Sequence, residues 1–589
     1  SLDHVAPRKI IETPKEKRTL PESLIEGPGL AHTLRGAYLI EEGMFEAAAD
    51  ELRLALIYFP DSPFLYSQLS HVWQALGRHS KAKETLFLGL DRAPKSPRLN
   101  YEAGMFFHRE MEFKNATSYF EKALETDSQR AATFPFWISS HLWLGNLKEA
   151  RAGMRALLES ESATRSNLLD VAIVLEEHGL YKEASDLYAE VTGKYPDNHA
   201  ASLGQMRIEL LRGNINEAAK ALIPLYGHHS NSVSLSSLIS RLFTHGGAVE
   251  AEAYRQEAIR QTYDEERALL QVVSDDIGAG RVKEGMDLVE DLVQKNPQSQ
   301  RVRLIAARMN SDQLNYAKCL QYLEQAGEQN REFNVQRALC WGGLDDLESM
   351  LGEFSFAYQK GASLKVVTEG AAYWLARKLS YDDAMNRFGS FCVELISHSL
   401  SEECIAGKAV IADFFGHGQV AIGLMEEFQI LNDKREDWAI RLADLYCRYG
   451  RLIEGLEILE ELVRQSPYDL VRLNALGFRL VEAGQGLEEA SIWLHRAYRL
   501  APESGFIIDS LGWLLYREGR YEQALGFIRM AVSQNPNDPE ILRHLGDVYW
   551  KLGRLAEALV AYQQALSNFP NSVLHQILAE RVSILDSQS

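Results

Sequence analysis

Cysteine is scarce in this chain of 589 residues, which has five: Cys319, Cys340, Cys392, Cys404 and Cys447. Their number is odd and their spacing matches no metal motif, so they are expected to be small buried hydrophobes. So few thiols suit cytoplasm and periplasm equally. Long apolar runs are absent as well, and no stretch approaches the ~20 uninterrupted apolar residues that a membrane span requires. Basic charge is in deficit: 62 Lys and Arg stand against 82 Asp and Glu, a net charge of −20. That balance argues against a general nucleic-acid binder, which needs a basic stripe. It reads first as ordinary solubility charge and permits basic peptide or protein partners.

Motifs that carry chemistry are also missing. There is no Gly-rich phosphate loop, no His-Glu-x-x-His, no Cys-x-x-Cys and no nucleophile elbow. The adjacent pair His228-His229 reads as a solvated turn, and Glu402-Glu403 and Glu426-Glu427 read as charged helix faces. Carboxylates become catalytic only when two are held at a set separation with shifted pKa values, and nothing here signals that. No catalytic residue, cofactor or metal site is read from the sequence, and an enzyme is the weaker class.

What is present is a repeat. Asn474-Ala475-Leu476-Gly477, Asp509-Ser510-Leu511-Gly512-Trp513 and Arg543-His544-Leu545-Gly546-Asp547 open three units. These close on Pro502, Pro536 and Pro570, spaced by 34 residues. Between them recur Gly484, Gly519 and Gly553, then Ala490, Ala524 and Ala558, then Ala497, Ala531 and Ala565. A period of 34 with small, large and turn residues at set offsets is the signature of the tetratricopeptide repeat, a helix–turn–helix unit. The Leu-Gly lets two helices approach. The mid-unit Gly suits a left-handed residue closing the first helix. The Ala fills the crossing, and Leu494, Ile528 and Tyr562 are expected to pack onto the next pair. One pair cannot bury its own apolar face, so pairs must stack.

The predicted fold is therefore all-α: a right-handed superhelical solenoid of stacked antiparallel helix pairs with a C-terminal capping helix. Residues 1–28 read as a flexible tether, polar and carrying Pro7, Pro14, Pro21 and Pro28. Residues 29–265 form an N-terminal array in a single frame, with Gly43, Gly77, Gly145, Gly179 and Gly213 as signposts. Near the end of that array Gly246-Gly247 offers two placements, and the frame blurs over 266–435. There only degenerate pairs fit, at Gln300–Phe333, Gln336–Ser363, Val366–Leu400 and Glu402–Asn432. A C-terminal array follows over 436–572. Residues 573–589, with Val573, Leu574, Ile577, Leu578 and Ile584 on one side, read as the cap and tail.

The working surface is expected to be the concave one, lined by first helices. In the last units the groove positions are Phe506, Asp509, Trp513, Tyr516 and Arg517, then Glu540, Arg543, Asp547, Trp550 and Lys551, of which all but Glu540 are taken as partner-binding candidates. Interleaved aromatic and charged side chains suit a peptide groove, with anchors for affinity and polar groups for register. No unit pairs Lys and Asn in the manner of the carboxylate clamp of chaperone-binding repeats.

Leu473–Phe478, Ile508–Trp513 with Leu515–Gly519, and Asp538–Ile541 with His544–Trp550 together resemble a block of proteobacterial periplasmic tetratricopeptide lipoproteins. That group includes the adaptor of a carboxyl-terminal processing protease. The resemblance implies a non-catalytic adaptor that wraps client proteins, presents them to a protease and is held at the outer membrane by a lipid on its N-terminus. Three alternatives stand beside it: a scaffold for polysaccharide export or pilus assembly, a cytoplasmic peptide-binding chaperone-type module, and a glycosyltransferase-like enzyme with a repeat arm.

Overall fold

The computed structural model describes residues 27–125, 130–160, 163–229, 232–260, 270, 272–273, 276, 281–324, 331–396, 401–431, 436–502, 504–568 and 573–586. Among these residues every regular element is an α-helix and no strand occurs. The tether read over 1–28 lies almost wholly outside them, as does the boundary at 265/266.

The chain separates into two compact units, Ser1–Asn167 and Leu168–Ser589. The break falls inside the stretch that the sequence reads as one N-terminal array. The first unit stacks helix pairs from Pro28–Glu41 with Phe45–Tyr58 to Arg130–Trp143 with Leu147–Leu158. Its core starts from Ala48, Leu52, Leu65, Leu69 and Val72. The second unit continues in pairs to Pro539–Lys551 with Leu555–Asn568, followed by a single helix, Val573–Asp586.

Why these residues form pairs is visible at two joints. Within most of the described pairs the first helix is followed by a residue at positive φ, such as Gly519 at 78° and Gly553 at 74°, whereas Leu364–Lys378 ends on Leu379 at −118°. The next amide then turns back, so that Arg554 N donates to Tyr549 O at 2.9 Å, which occupies a terminal carbonyl. Between pairs, side chains cap the new helix; Asp538 accepts from the Glu540 and Ile541 amides at 3.0 Å each.

The helix crossing is equally specific. A Cβ on Gly512 would sit 2.5 Å from Ile528 Cγ1, and one on Gly546 would sit 2.3 Å from Tyr562 Cε1. Leu494, Ile528 and Tyr562 therefore lie over the glycine of their own unit. This adds a partner within the unit to the expected packing onto the next element, which Tyr562 also meets through Arg581: the close approach leaves room for a large side chain only where Cβ is missing.

The degenerate middle is the same architecture with signposts removed. Gln300–Asp312, Arg331–Gly343, Leu364–Lys378 and Glu402–Phe414 are its first helices. Phe333 and Gln336 share one helix, so the pair break lies before Arg331 and not between those two residues. Leu314 and Asp345 occupy the left-handed turn at φ 59° and 64°, as does Met111 at 59° in the first unit. Gly247, at 68°, resolves the Gly246-Gly247 ambiguity. Gly370 and Gly407 receive Phe354 and Phe388 from the preceding pair, a different partner from that used in the C-terminal units.

Two corrections concern the cysteines and the terminal helix. Four of the cysteines are buried as expected, yet they are bonded, Cys319 to Cys340 and Cys392 to Cys404, with Cα–Cα distances of 6.4 and 6.1 Å. Each bond joins the second helix of one pair to the first helix of the next. Cys447 is free. In Val573–Asp586 the buried face is Leu578 and Leu585, while Ile577 and Ile584 face solvent. The side chains of Val573 and Leu574 lie outside the described set.

An L-residue in the left-handed turn costs about 1–2 kcal/mol that glycine avoids. Replacing Leu314, itself exposed, with Gly should therefore stabilise the protein by about 1 kcal/mol after the entropic cost of glycine. Urea denaturation checks this; an unchanged or lower midpoint counts against strain at that turn.

Candidate functional site

The candidate residues stand on two successive first helices, Gly505–Arg517 and Pro539–Lys551. Their fates differ. Asp509, Trp513 and Asp547 are buried; Tyr516, Arg543 and Trp550 are half-buried; Phe506, Arg517 and Lys551 are exposed.

The buried members form one network. Trp513 Nε1 donates to Glu482 Oε1 at 2.5 Å, from the first helix of the preceding pair. Its ring is stacked between Tyr516 (centroids 4.4 Å apart) and His544 (4.0 Å), with the Arg543 guanidinium 5.1 Å from its centroid. Arg543 has only donors, so its Nη2, 2.7 Å from His544 Nε2, fixes that nitrogen as the acceptor. His544 Nδ1–H then donates to the Asp509 carboxyl at 2.8 and 3.0 Å. Burial pushes the Asp509 carboxyl up to about 8. Burial, together with the Arg543 charge, pushes the His544 imidazole down to about 3, so it is neutral.

Asp547 anchors the other half. It accepts from Tyr562 OH at 2.5 Å, from Arg543 Nη1 at 3.1 Å and from Arg581 on the terminal helix. Burial, with the Asp547 carboxylate beside it, raises the Tyr562 phenol well above its ordinary range. Arg581 also lies 5.7 Å from the centroid of Trp550. The helix read from sequence as a cap thus supplies a charged partner as well as an apolar face.

Sequence names His544 and Tyr562 only as repeat and packing residues, and does not name Glu482 or Arg581 at all. Glu482 carries a signal, since it holds the offset of Arg517 and Lys551 one unit earlier. Arg581 lies beyond the repeat and carries none.

What remains open to solvent is narrower: Phe506, 55% exposed, with Arg517 and Lys551. Ile440, Arg441, Asp444, Ala475 and Arg479 on the preceding first helices, with Leu459 from the second helix between them, line a cavity of about 280 Å³. There Arg479 pairs with Asp444 at 2.7 Å, and Arg441 pairs with Glu369 at 3.0 Å. Among the described residues no cluster of His, Cys, Asp and Glu could hold a metal ion, and no helix is long and apolar enough to cross a membrane. His228 and His229 are exposed at the end of their helix.

Residues 510–573 match the tetratricopeptide repeat family, so most of this network is built within such repeats. Among curated proteins, the TPR repeat-containing protein PA4667 of Pseudomonas aeruginosa is 33% identical over 86 residues, 15% of this chain and 14% of that protein's length. Among solved structures, the thermophilic TPR protein TTC0263 of Thermus thermophilus is 25% identical, covering 31% of this chain and all of its own, at a TM-score of 0.28. Yeast Tom70 is 14% identical over 84% of this chain and 96% of its own, at a TM-score of 0.31.

Asp547→Ala would leave two guanidiniums without their carboxylate and should destabilise by about 3–5 kcal/mol, as breaking a buried pair does. Lys551→Glu on the open surface should stay within about 0.5 kcal/mol. Chemical denaturation of both variants checks the contrast; equal effects would sink the division into structural and exposed members.

Proposed function

We propose that this protein is a non-catalytic adaptor that holds other polypeptides against the first helices of its C-terminal repeats. Tetratricopeptide repeats generally mediate protein–protein interaction, and the repeat character of 510–573 supports that class. The observation that carries the reading is the split within the candidate set. Buried members are engaged with neighbouring side chains, while Phe506 and Lys551 stand open as an apolar anchor and a cation, beside Arg517, which is exposed and donates to Glu482 O at 3.0 Å. Tyr516 and Trp550 border them. The cavity at Arg441 and Arg479 extends the same row of first helices toward the preceding pairs. The client is an extended segment with an apolar side chain and acidic neighbours.

The finer reading is an adaptor in the periplasm, tethered at the outer membrane by a lipid-modified N-terminus, which presents clients to a partner such as a processing protease. Two disulfides support an oxidising compartment, since such bonds are rare in the reducing cytosol of mesophiles. They favour this reading over a cytoplasmic peptide-binding module.

Two measurements test it. Thiol labelling of the protein denatured without reductant, as purified from its native cell, should modify Cys447 alone; labelling of all five cysteines overturns the oxidising compartment. Affinity capture from a native envelope extract should retain client proteins on the wild type and lose them on F506A/R517E/K551E, with melting unchanged. Loss of one anchor of this kind costs about tenfold in affinity. Equal recovery on the triple variant rejects this face as the binding surface.

A further inference from the structure

The second helices of the C-terminal repeats are engaged in a second, unrelated contact. Leu487–Leu500 and Tyr521–Gln534 meet the turns that follow Arg165–Glu177 and His199–Leu211, more than 300 residues earlier in the chain. Arg496 Nη2 donates to Glu177 Oε2 at 2.9 Å, and Arg499 Nη2 donates to Glu177 Oε1 at 2.6 Å. His495 Nδ1 lies 2.7 Å from Ser491 O, so that nitrogen carries the proton and Nε2 accepts from Tyr181 OH at 2.8 Å. Arg520 Nη2 donates to Leu211 O and Gln523 Nε2 donates to Arg212 O, each at 3.0 Å. Asn537 donates to Asp312 O.

Local structure gives no reason for these residues on either side. Glu177 sits at the last turn of its helix, where the macrodipole disfavours a negative charge, and only 5% of its side chain is exposed. Two arginines from a distant helix make that position tenable. Leu211 O and Arg212 O are terminal carbonyls that a helix cannot satisfy internally, and they too are capped from afar. Hydrogen bonds and ion pairs line this contact, together with the Tyr181 ring stacked on His495 (centroids 5.8 Å apart) and Ile215 Cδ1, 4.0 Å from where a Cβ on Gly526 would lie. Successive pairs, by contrast, share continuous apolar cores, as at Phe354, Phe388 and Phe391.

We propose that Arg496, Arg499, His495, Arg520 and Gln523 form a reversible clasp that fastens residues 487–534 onto residues 177–215 and holds the intervening helix pairs as a closed loop. A polar contact between distant segments resembles a transient interface more than a domain core. Charge complementarity then supplies its specificity, and like charges placed opposite each other break it. Opening requires no loss of any helix pair, since each pair keeps its own neighbours.

The experiment is small-angle scattering on the full chain, with hydrogen exchange followed at the turn 211–215. R496E/R499E should increase the radius of gyration and abolish protection of that turn, while the melting transition stays cooperative. E177R combined with R496E/R499E restores opposite charges across the contact and should return both values toward wild type. E177Q, which keeps the packing and removes only the charge, gives the reading that stands even if the double variant misfolds; it should shift the same two values in the same direction. A wild-type radius and wild-type protection in E177Q and R496E/R499E would overturn the clasp. So would a triple variant as expanded as the double.

Discussion

The close crossing of two helices within a pair sets the terms for everything else in this protein. Where Gly512 passes Ile528, or Gly546 passes Tyr562, there is no room for a Cβ, and the large side chain fills the space that the missing atom leaves. That contact fixes the angle of each pair. The left-handed turn then fixes where the second helix begins. A pair so made still exposes apolar surface on both flanks, so the next pair must cover it, and the array follows by repetition.

Legibility in the sequence tracks how local each requirement is. The turn and the crossing fall within one unit, so Gly484, Gly519, Gly553 and the Leu-Gly pairs announce them. The signal fades over 300–431 because other residues meet the same demands. Leu314 and Asp345 accept the left-handed turn at some strain, and Phe354 and Phe388 reach glycines of the following pair. The cysteine pairs were equally opaque. Cys319 and Cys340 stand on helices of successive units, and only the stacking shows that their sulfurs meet.

Reading the candidate face met the same limit. Offsets within a unit place Trp513 and Asp547 on the first-helix surface, but burial is decided by neighbours from other units. Glu482 takes the indole hydrogen, His544 takes the ring face, and Arg581 comes from a helix outside the repeat. Phe506, at the start of its helix, has no such partner in reach and stays open. Polar side chains in these units thus divide by partner and not by position. Buried ones with a complement on an adjacent pair become internal struts, while Lys551, and Arg517 despite its bond to Glu482 O, stay exposed to another molecule.

The two sulfur bonds lie along the stack and not within its pairs, and this bears on how the protein carries load. Tension applied along the stack would peel helix pairs off one by one wherever, as over 281–431, each is held by its immediate neighbours, and the contact between 177–215 and 487–534 would have to part first. Peeling that reaches Cys319–Cys340 or Cys392–Cys404 meets a covalent stop, and the central pairs stay linked while the flanks unravel and rewind. Under load the stack would then lose length at its flanks first, while the helices that each bond joins stay in register.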